Sequence, residues 1–182
     1  MDTNCWPLFF LVIDRGSIFE FKQNNNLLLS QHKLIDTFSA SATKGLSGRD
    51  RSTIFPVADA IITGVYGSQR ILNGKPRWPH YGLDFAKDEG TPIKAMISGT
   101  VTLVEPDLYY TGGTLIFDHG HGISTLYMHM KTLMVKKGQK VKQGDVVGTV
   151  GSTGRSTGAH LDVRLNWFQT RLDPATVLDI KN

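Results

Sequence analysis

From Ile54 onward, short apolar runs are separated by glycines at close intervals. Ala60-Ile61-Ile62, Thr100-Val101-Thr102-Leu103-Val104, Thr114-Leu115-Ile116-Phe117 and Val146-Val147-Gly148-Thr149-Val150 each have the length of a strand. No long stretch with a 3.6-residue period competes with them. The pattern predicts a mainly β protein with antiparallel sheets. Two segments alternate clearly. In Ser124 to Met130, the apolar set is Leu126, Met128 and Met130, with Thr125, Tyr127 and His129 on the other face. In His160 to Trp167, the apolar set is Leu161, Val163, Leu165 and Trp167, with His160, Asp162, Arg164 and Asn166 opposite. Each strand is expected to bury its apolar face and to offer a polar face that carries a histidine.

The first part of the chain has a different texture. Phe9 to Ile13, Asp14 to Ser17 and Ile18 to Phe21 read as strand, turn and strand of a small hairpin. Gln23 to Asn26 is a polar break. Leu27 to Phe38 is open to either a short helix or an extended segment. Ser39 to Ser52, rich in Ser, Thr, Gly and charge, reads as a linker. The expected division is an N-terminal extension and linker over 1–52 and one folded domain over 53–182.

Composition narrows the classes. A chain of 182 residues with 40% apolar and 20% charged residues is an ordinary soluble globular protein with room for a core. The formal charge of +4 is modest and its basic residues are not in one block. That fits an anionic polymer as a partner and does not resemble a nucleic-acid footprint. Cys5 is the only cysteine, which excludes an internal disulfide and a cysteine-built metal site. No stretch is long enough to span a membrane. Leu8 to Ile13 is short and lacks a preceding Lys or Arg, so it makes a poor secretory signal.

The candidate chemistry starts at Pro79-His80-Tyr81-Gly82-Leu83-Asp84, where a histidine and an aspartate stand four residues apart. Pro79 and Gly82 favour an extended chain, on which both side chains share a face. They are two of the three protein ligands that a catalytic zinc needs. His119 and His121, around Gly120, read as part of a hairpin turn, and His32 as solvated surface. The lysines of Gly138 to Asp145 read as a wet face.

A family resemblance now emerges. Gly67-Ser68-Gln69-Arg70, His80-Tyr81-Gly82-Leu83-Asp84, Gly90-Thr91-Pro92-Ile93, Asp118-His119-Gly120, Tyr127-Met128-His129-Met130, Gly151-Ser152-Thr153-Gly154 and Thr157-Gly158-Ala159-His160-Leu161 follow one another in an order that resembles the M23 metallopeptidases, the lysostaphin-like or LytM-type peptidoglycan endopeptidases. The resemblance covers roughly residues 55 to 178. It implies an antiparallel β-sheet sandwich of the duplicated hybrid motif type. It also implies one zinc ion held by His80, Asp84 and the residue two after His160, with His129 and His160 as catalytic imidazoles. Here the chain departs from the pattern. The third ligand position is Asp162, where the family has histidine. Aspartate oxygen also binds zinc.

The chemistry implied is metal-assisted hydrolysis of an amide, with one imidazole moving a proton and the other stabilising the oxyanion. The implied partner is a peptide cross-link or stem of peptidoglycan, and the implied place is the cell envelope, periplasmic or extracellular. Because the N-terminus is a poor signal, a start upstream or a missing N-terminal region is expected. Two other classes compete. One is a catalytically silent M23-like module that activates another wall hydrolase, a reading fed by Asp162. The other is a biotinyl- or lipoyl-type carrier, disfavoured because Ala95-Met96 is followed by Ile97 where a modifiable lysine would stand.

Overall fold

A computed structural model describes residues 53–72 and 74–178. The expected hairpin over 9–21, the segment 27–38, the linker 39–52 and His32 lie outside the described residues. The strands are β1 (Ile61–Gly64), β2 (Ile71–Leu72), β3 (Lys75–Pro76), β4 (Leu83–Ala86), β5 (Pro92–Lys94), β6 (Gly99–Leu108), β7 (Gly112–Asp118), β8 (Ile123–Met130), β9 (Thr132–Leu133), β10 (Lys140–Val141), β11 (Val146–Thr149), β12 (His160–Trp167) and β13 (Thr170–Leu172), followed by a short 3-10 turn at Pro174–Val177. Every strand pair is antiparallel. The large sheet runs β1-β4-β12-β8-β7-β6-β10, with β13 beside β12. A small sheet has the order β5-β11-β9, and β2 pairs with β3 as a hairpin. The mainly β, antiparallel expectation therefore holds. Among the described residues no helix is long and apolar enough to cross a membrane.

The core lies between one face of the large sheet and the small sheet. Leu83, Phe85, Leu161, Val163, Tyr127, Leu115 and Phe117 meet Ile93, Val147 and Val150 there. The buried Tyr127 hydroxyl ties the layers together. It accepts the Met96 N–H at 2.9 Å and donates to the Lys94 carbonyl at 3.4 Å.

The alternation expected for β12 holds, since Leu161, Val163 and Leu165 are buried in core clusters. That expected for β8 does not. Residues directly opposite each other on neighbouring strands project to the same side. Leu126 faces Arg164 and Met128 faces Asp162, so both lie on the polar side of β12, while Tyr127 faces Val163 and belongs to the core. Met130 is again in the core. The physical cause is a β-bulge. Gly113 pairs with Met130 and Leu115 with Tyr127, two steps on β7 against three on β8. One extra residue resets the parity of the strand. His129 sits at that place with a φ of 64°, in the left-handed region that non-glycine residues rarely occupy.

The turn after β7 forms as expected. His119 N–H donates to Ile123 O at 3.0 Å, and Ile123 N–H to Gly120 O at 2.9 Å. The His119 ring is structural. Its Nδ1 donates to the Ser98 carbonyl at 3.0 Å, and its Nε2 accepts from the Thr125 hydroxyl at 2.8 Å. Burial pushes its pKa below 6.5, against the opposing pull of the Ser98 carbonyl and Asp118. The unfolded chain therefore binds the proton more readily. The stability held above pH 6.5 is lost as pH falls from there toward the depressed folded value. The thermal midpoint is expected to be lower at about pH 5 than at about pH 7, and the decline to be shallower in His119→Gln. An equally steep decline in that variant would remove His119 from the account.

Candidate metal centre

The site lies on the face of the large sheet opposite the core. Asp84 on β4 pairs directly with Asp162 on β12. Two like charges directly opposite each other on adjacent strands repel, and burial raises the cost. Asp162 is only 1% exposed. Glycines make room for both carboxylates. Gly64 faces Asp84 from β1, and a Cβ there would lie 2.2 Å from Asp84 Oδ2. A Cβ on Gly82 would lie 2.1 Å from Asp162 Oδ1.

His80 completes the group. It precedes β4 and is clamped by backbone bonds to the Gly67–Arg70 segment. His80 N–H donates to Ser68 O at 2.8 Å, and Gly67 N–H to His80 O at 2.7 Å. An extended chain would separate positions four apart by about 13 Å. Instead the chain bends at Gly82, and His80 Nε2 comes to 3.0 Å from Asp84 Oδ1. The expectation of one continuous extended face is corrected to that extent: the bend brings the two side chains together.

His80 Nε2 and Asp84 Oδ1 are buried with only each other in reach, and Asp162 Oδ1 is buried without a hydrogen-bond partner. Ligand atoms of the three residues lie within 4.8 Å of one another. Three converging ligand atoms, two of them on opposed carboxylates, could hold a divalent cation. The residues fit such an ion. Arg70 donates to His80 Nδ1 at 2.5 Å. An arginine only donates, so the neutral ring then carries its proton on Nε2. Ion binding at Nε2 therefore requires the proton to move to Nδ1 and Arg70 to withdraw from it. Burial alone would raise the Asp84 pKa, but the hydrogen bond from His80, with the electrostatic pull of His80, His160 and Arg70 behind it, holds the carboxyl below its ordinary value.

The other two histidines stand beside this group. Their rings are 4.8 Å apart, and His160 Nε2 is 4.0 Å from Asp84 Oδ1. His129 Nδ1 donates to the Thr153 carbonyl at 2.8 Å. His160 Nδ1 donates to the Gly158 carbonyl at 2.8 Å, with the Ser156 hydroxyl at 3.2 Å. In both rings this fixes Nδ1 and leaves Nε2 free. Burial lowers the His129 pKa most. The Thr153 carbonyl raises it, nearby His160 lowers it further, and Asp162 and Asp84 raise it. His80, Asp84, Asp162, His129 and His160 thus all converge. The parity of β8 alone would have turned His129 into the core, and the bulge brings it out. Gly64 and the carbonyls of Thr153 and Gly158 were not singled out from sequence. An isolated glycine in a strand signals a close approach, but the residue it approaches is known only from the register.

Comparison with known proteins gives this geometry a family. The model of "Peptidase family M23" matches residues 78–174, just over half of the chain. The peptidoglycan DD-endopeptidase ShyA of Vibrio cholerae is 41% identical over 87 residues, which is 48% of this chain and 20% of that protein. The match thus spans about a fifth of that relative's length. A zinc-containing peptidase from Vibrio cholerae superposes with a TM-score of 0.62 at 32% identity, over 68% of this chain and 39% of that one. The catalytic domain of lysostaphin from Staphylococcus simulans gives 0.58 at 32% identity, over 65% and 91%. The β-sandwich, its polar face and the span of the match agree, and the chain belongs to peptidase family M23.

Proposed function

We propose that this chain is a metal-dependent endopeptidase that hydrolyses peptide bonds of peptidoglycan, and that it works in the cell envelope. The observation that supports it best is the pair of half-buried Asp84 and buried Asp162, directly opposed across two strands with His80 Nε2 beside them. His80, Asp84 and Asp162 would hold one divalent ion, zinc by family resemblance. When bound, such an ion polarises the scissile carbonyl and makes water a better nucleophile at neutral pH. His129 takes the proton of the attacking water and returns it to the leaving amine nitrogen as the C–N bond breaks. Its Nδ1 is occupied by the Thr153 carbonyl, its Nε2 is an acceptor, and burial keeps the ring neutral. His160 donates from Nε2 to the oxyanion. Because its Nδ1 also donates to a carbonyl, that role uses the doubly protonated ring. Strands β4, β8 and β12 carry Asp84, His129, His160 and Asp162, and backbone bonds to Gly67 and Ser68 hold His80.

The silent-module alternative is less well supported. It has no use for three converging ligand atoms, nor for Gly64 and Gly82 beside the carboxylates. The test is digestion of purified peptidoglycan with the full chain, the products being separated by chromatography. Cross-linked fragments should decrease, a chelator should stop this, and added zinc should restore it. Cleavage that persists after full removal of metal would overturn the mechanism. No cleavage with any divalent ion would overturn the activity.

A further inference from the structure

We infer that Arg164 is the positioning residue that makes an aspartate workable at the third ligand position. The inference rests on the reading of His80, Asp84 and Asp162 as a metal-holding group. Arg164 follows Asp162 by two residues on β12, so both side chains leave the same face of the sheet. Its guanidinium donates to Asp162 Oδ2 at 3.2 Å. Asp162 Oδ1 has no partner and lies with His80 Nε2 and Asp84 Oδ1. Arg164 thus divides the work of one carboxylate. One oxygen is tethered, and the other is left for the ion. The arginine stem passes over Gly82, where a Cβ would come within 3.2 Å of its Cγ. Gly82 therefore leaves room for the carboxylate and its tether together.

The charge argument runs the same way. Two carboxylates and a neutral imidazole would make a divalent site neutral. The guanidinium returns it to a net single positive charge. One carboxylate and two imidazoles would give that same charge. Without Arg164, Asp162 would be a nearly fully buried carboxylate facing a second carboxylate across the strand pair. Such an arrangement is costly until a cation arrives, and leaves Asp162 free to rotate away. Arg70, a further guanidinium beside the group, donates to His80 and not to Asp162 in this structure.

The test is a zinc dissociation constant, measured on the full chain by competition with a chromophoric chelator at one fixed pH. Four proteins are compared: the parent, Arg164→Met, Asp162→His, and the double variant. Arg164→Met keeps the packed stem and removes the charge and donors. It is expected to weaken zinc binding by about ten- to a hundredfold in the parent. In the Asp162→His background the same change should tighten binding, because the cation there only repels the ion. Arg164→Gln, which keeps a donor but no charge, should fall between Met and the parent, and it carries the comparison if the Met variant does not fold. Cobalt substitution gives a second readout, as its visible spectrum should change on Arg164→Met. An equal loss in both backgrounds would mean a packing role and overturn the inference. So would no change in the parent. A parent that binds no zinc would instead overturn the reading of the ligand group.

Discussion

His80→Ala is expected to remove metal from the protein and take peptidoglycan cleavage to background. In the proposed site the imidazole would be one of three donors, and its loss would leave two opposed carboxylates with no neutral ligand between them. Changes in groups that merely orient a ligand already cost about ten- to a hundredfold in affinity, so removal of a ligand should cost at least the upper figure. Stability offers a readout independent of turnover. An ion that binds only the folded chain stabilises it by about 2.7 kcal/mol at a hundred times its dissociation constant. Zinc should therefore raise the denaturation midpoint of the parent and leave that of His80→Ala almost unchanged. Loss of cleavage in a variant that still retains one ion per chain would remove His80 from the ligand set.

How far the sequence reveals this site depends on which strand is read. On β12 the alternation is unbroken. Leu161, Val163 and Leu165 go to the core, and Asp162 and Arg164 go to the opposite face. A period of two is enough there, because nothing interrupts the ladder. On β8 the same rule assigns Leu126 and Met128 to the wrong side, because parity survives only until a residue is inserted. The bulge at Met128–His129 is a property of the pairing with β7, and neither strand alone records it. The resemblance named His129 together with His160, and their rings lie 4.8 Å apart even though the alternation expected for β8 does not hold.

Other features needed three dimensions for a different reason. The meeting of His80 with Asp84 depends on a bend and on a clamp from Gly67 and Ser68, which lie more than ten residues upstream. Gly64 clears space for a carboxylate on a neighbouring strand, and only the register identifies that carboxylate. Arg164 reads from sequence as one more polar residue on a polar face. Its contact with Asp162 becomes informative once the other carboxylate oxygen is seen to be unpartnered. The fold class was legible because it depends on many short runs in series. The site was legible in its residue types and less so in the groups that hold them.

His129→Ala and His160→Ala are expected to lose turnover while keeping the metal, the reverse of the His80 result. Neither imidazole belongs to the three-donor cluster, and each is anchored through Nδ1 to a backbone carbonyl of the 153–158 loop. A positioned acid–base group contributes about a hundredfold to ten-thousandfold, and a single oxyanion donor about a hundredfold to a thousandfold. Both variants should thus fall by at least about a hundredfold in kcat with zinc content unchanged. Their pH profiles should separate the roles. Burial depresses the His129 pKa, so the ring remains an acceptor below pH 6.5. Activity assigned to it should persist under mildly acidic conditions and fall only as pH drops through the depressed value. His129→Ala should erase that acidic limb from its residual activity, and His160→Ala should retain it. A free imidazole in solution should recover part of the loss in His129→Ala, where it fills the space beside Thr153. If the acidic limb persists in His129→Ala and vanishes in His160→Ala, the two roles are exchanged, with His160 the base and His129 the oxyanion donor.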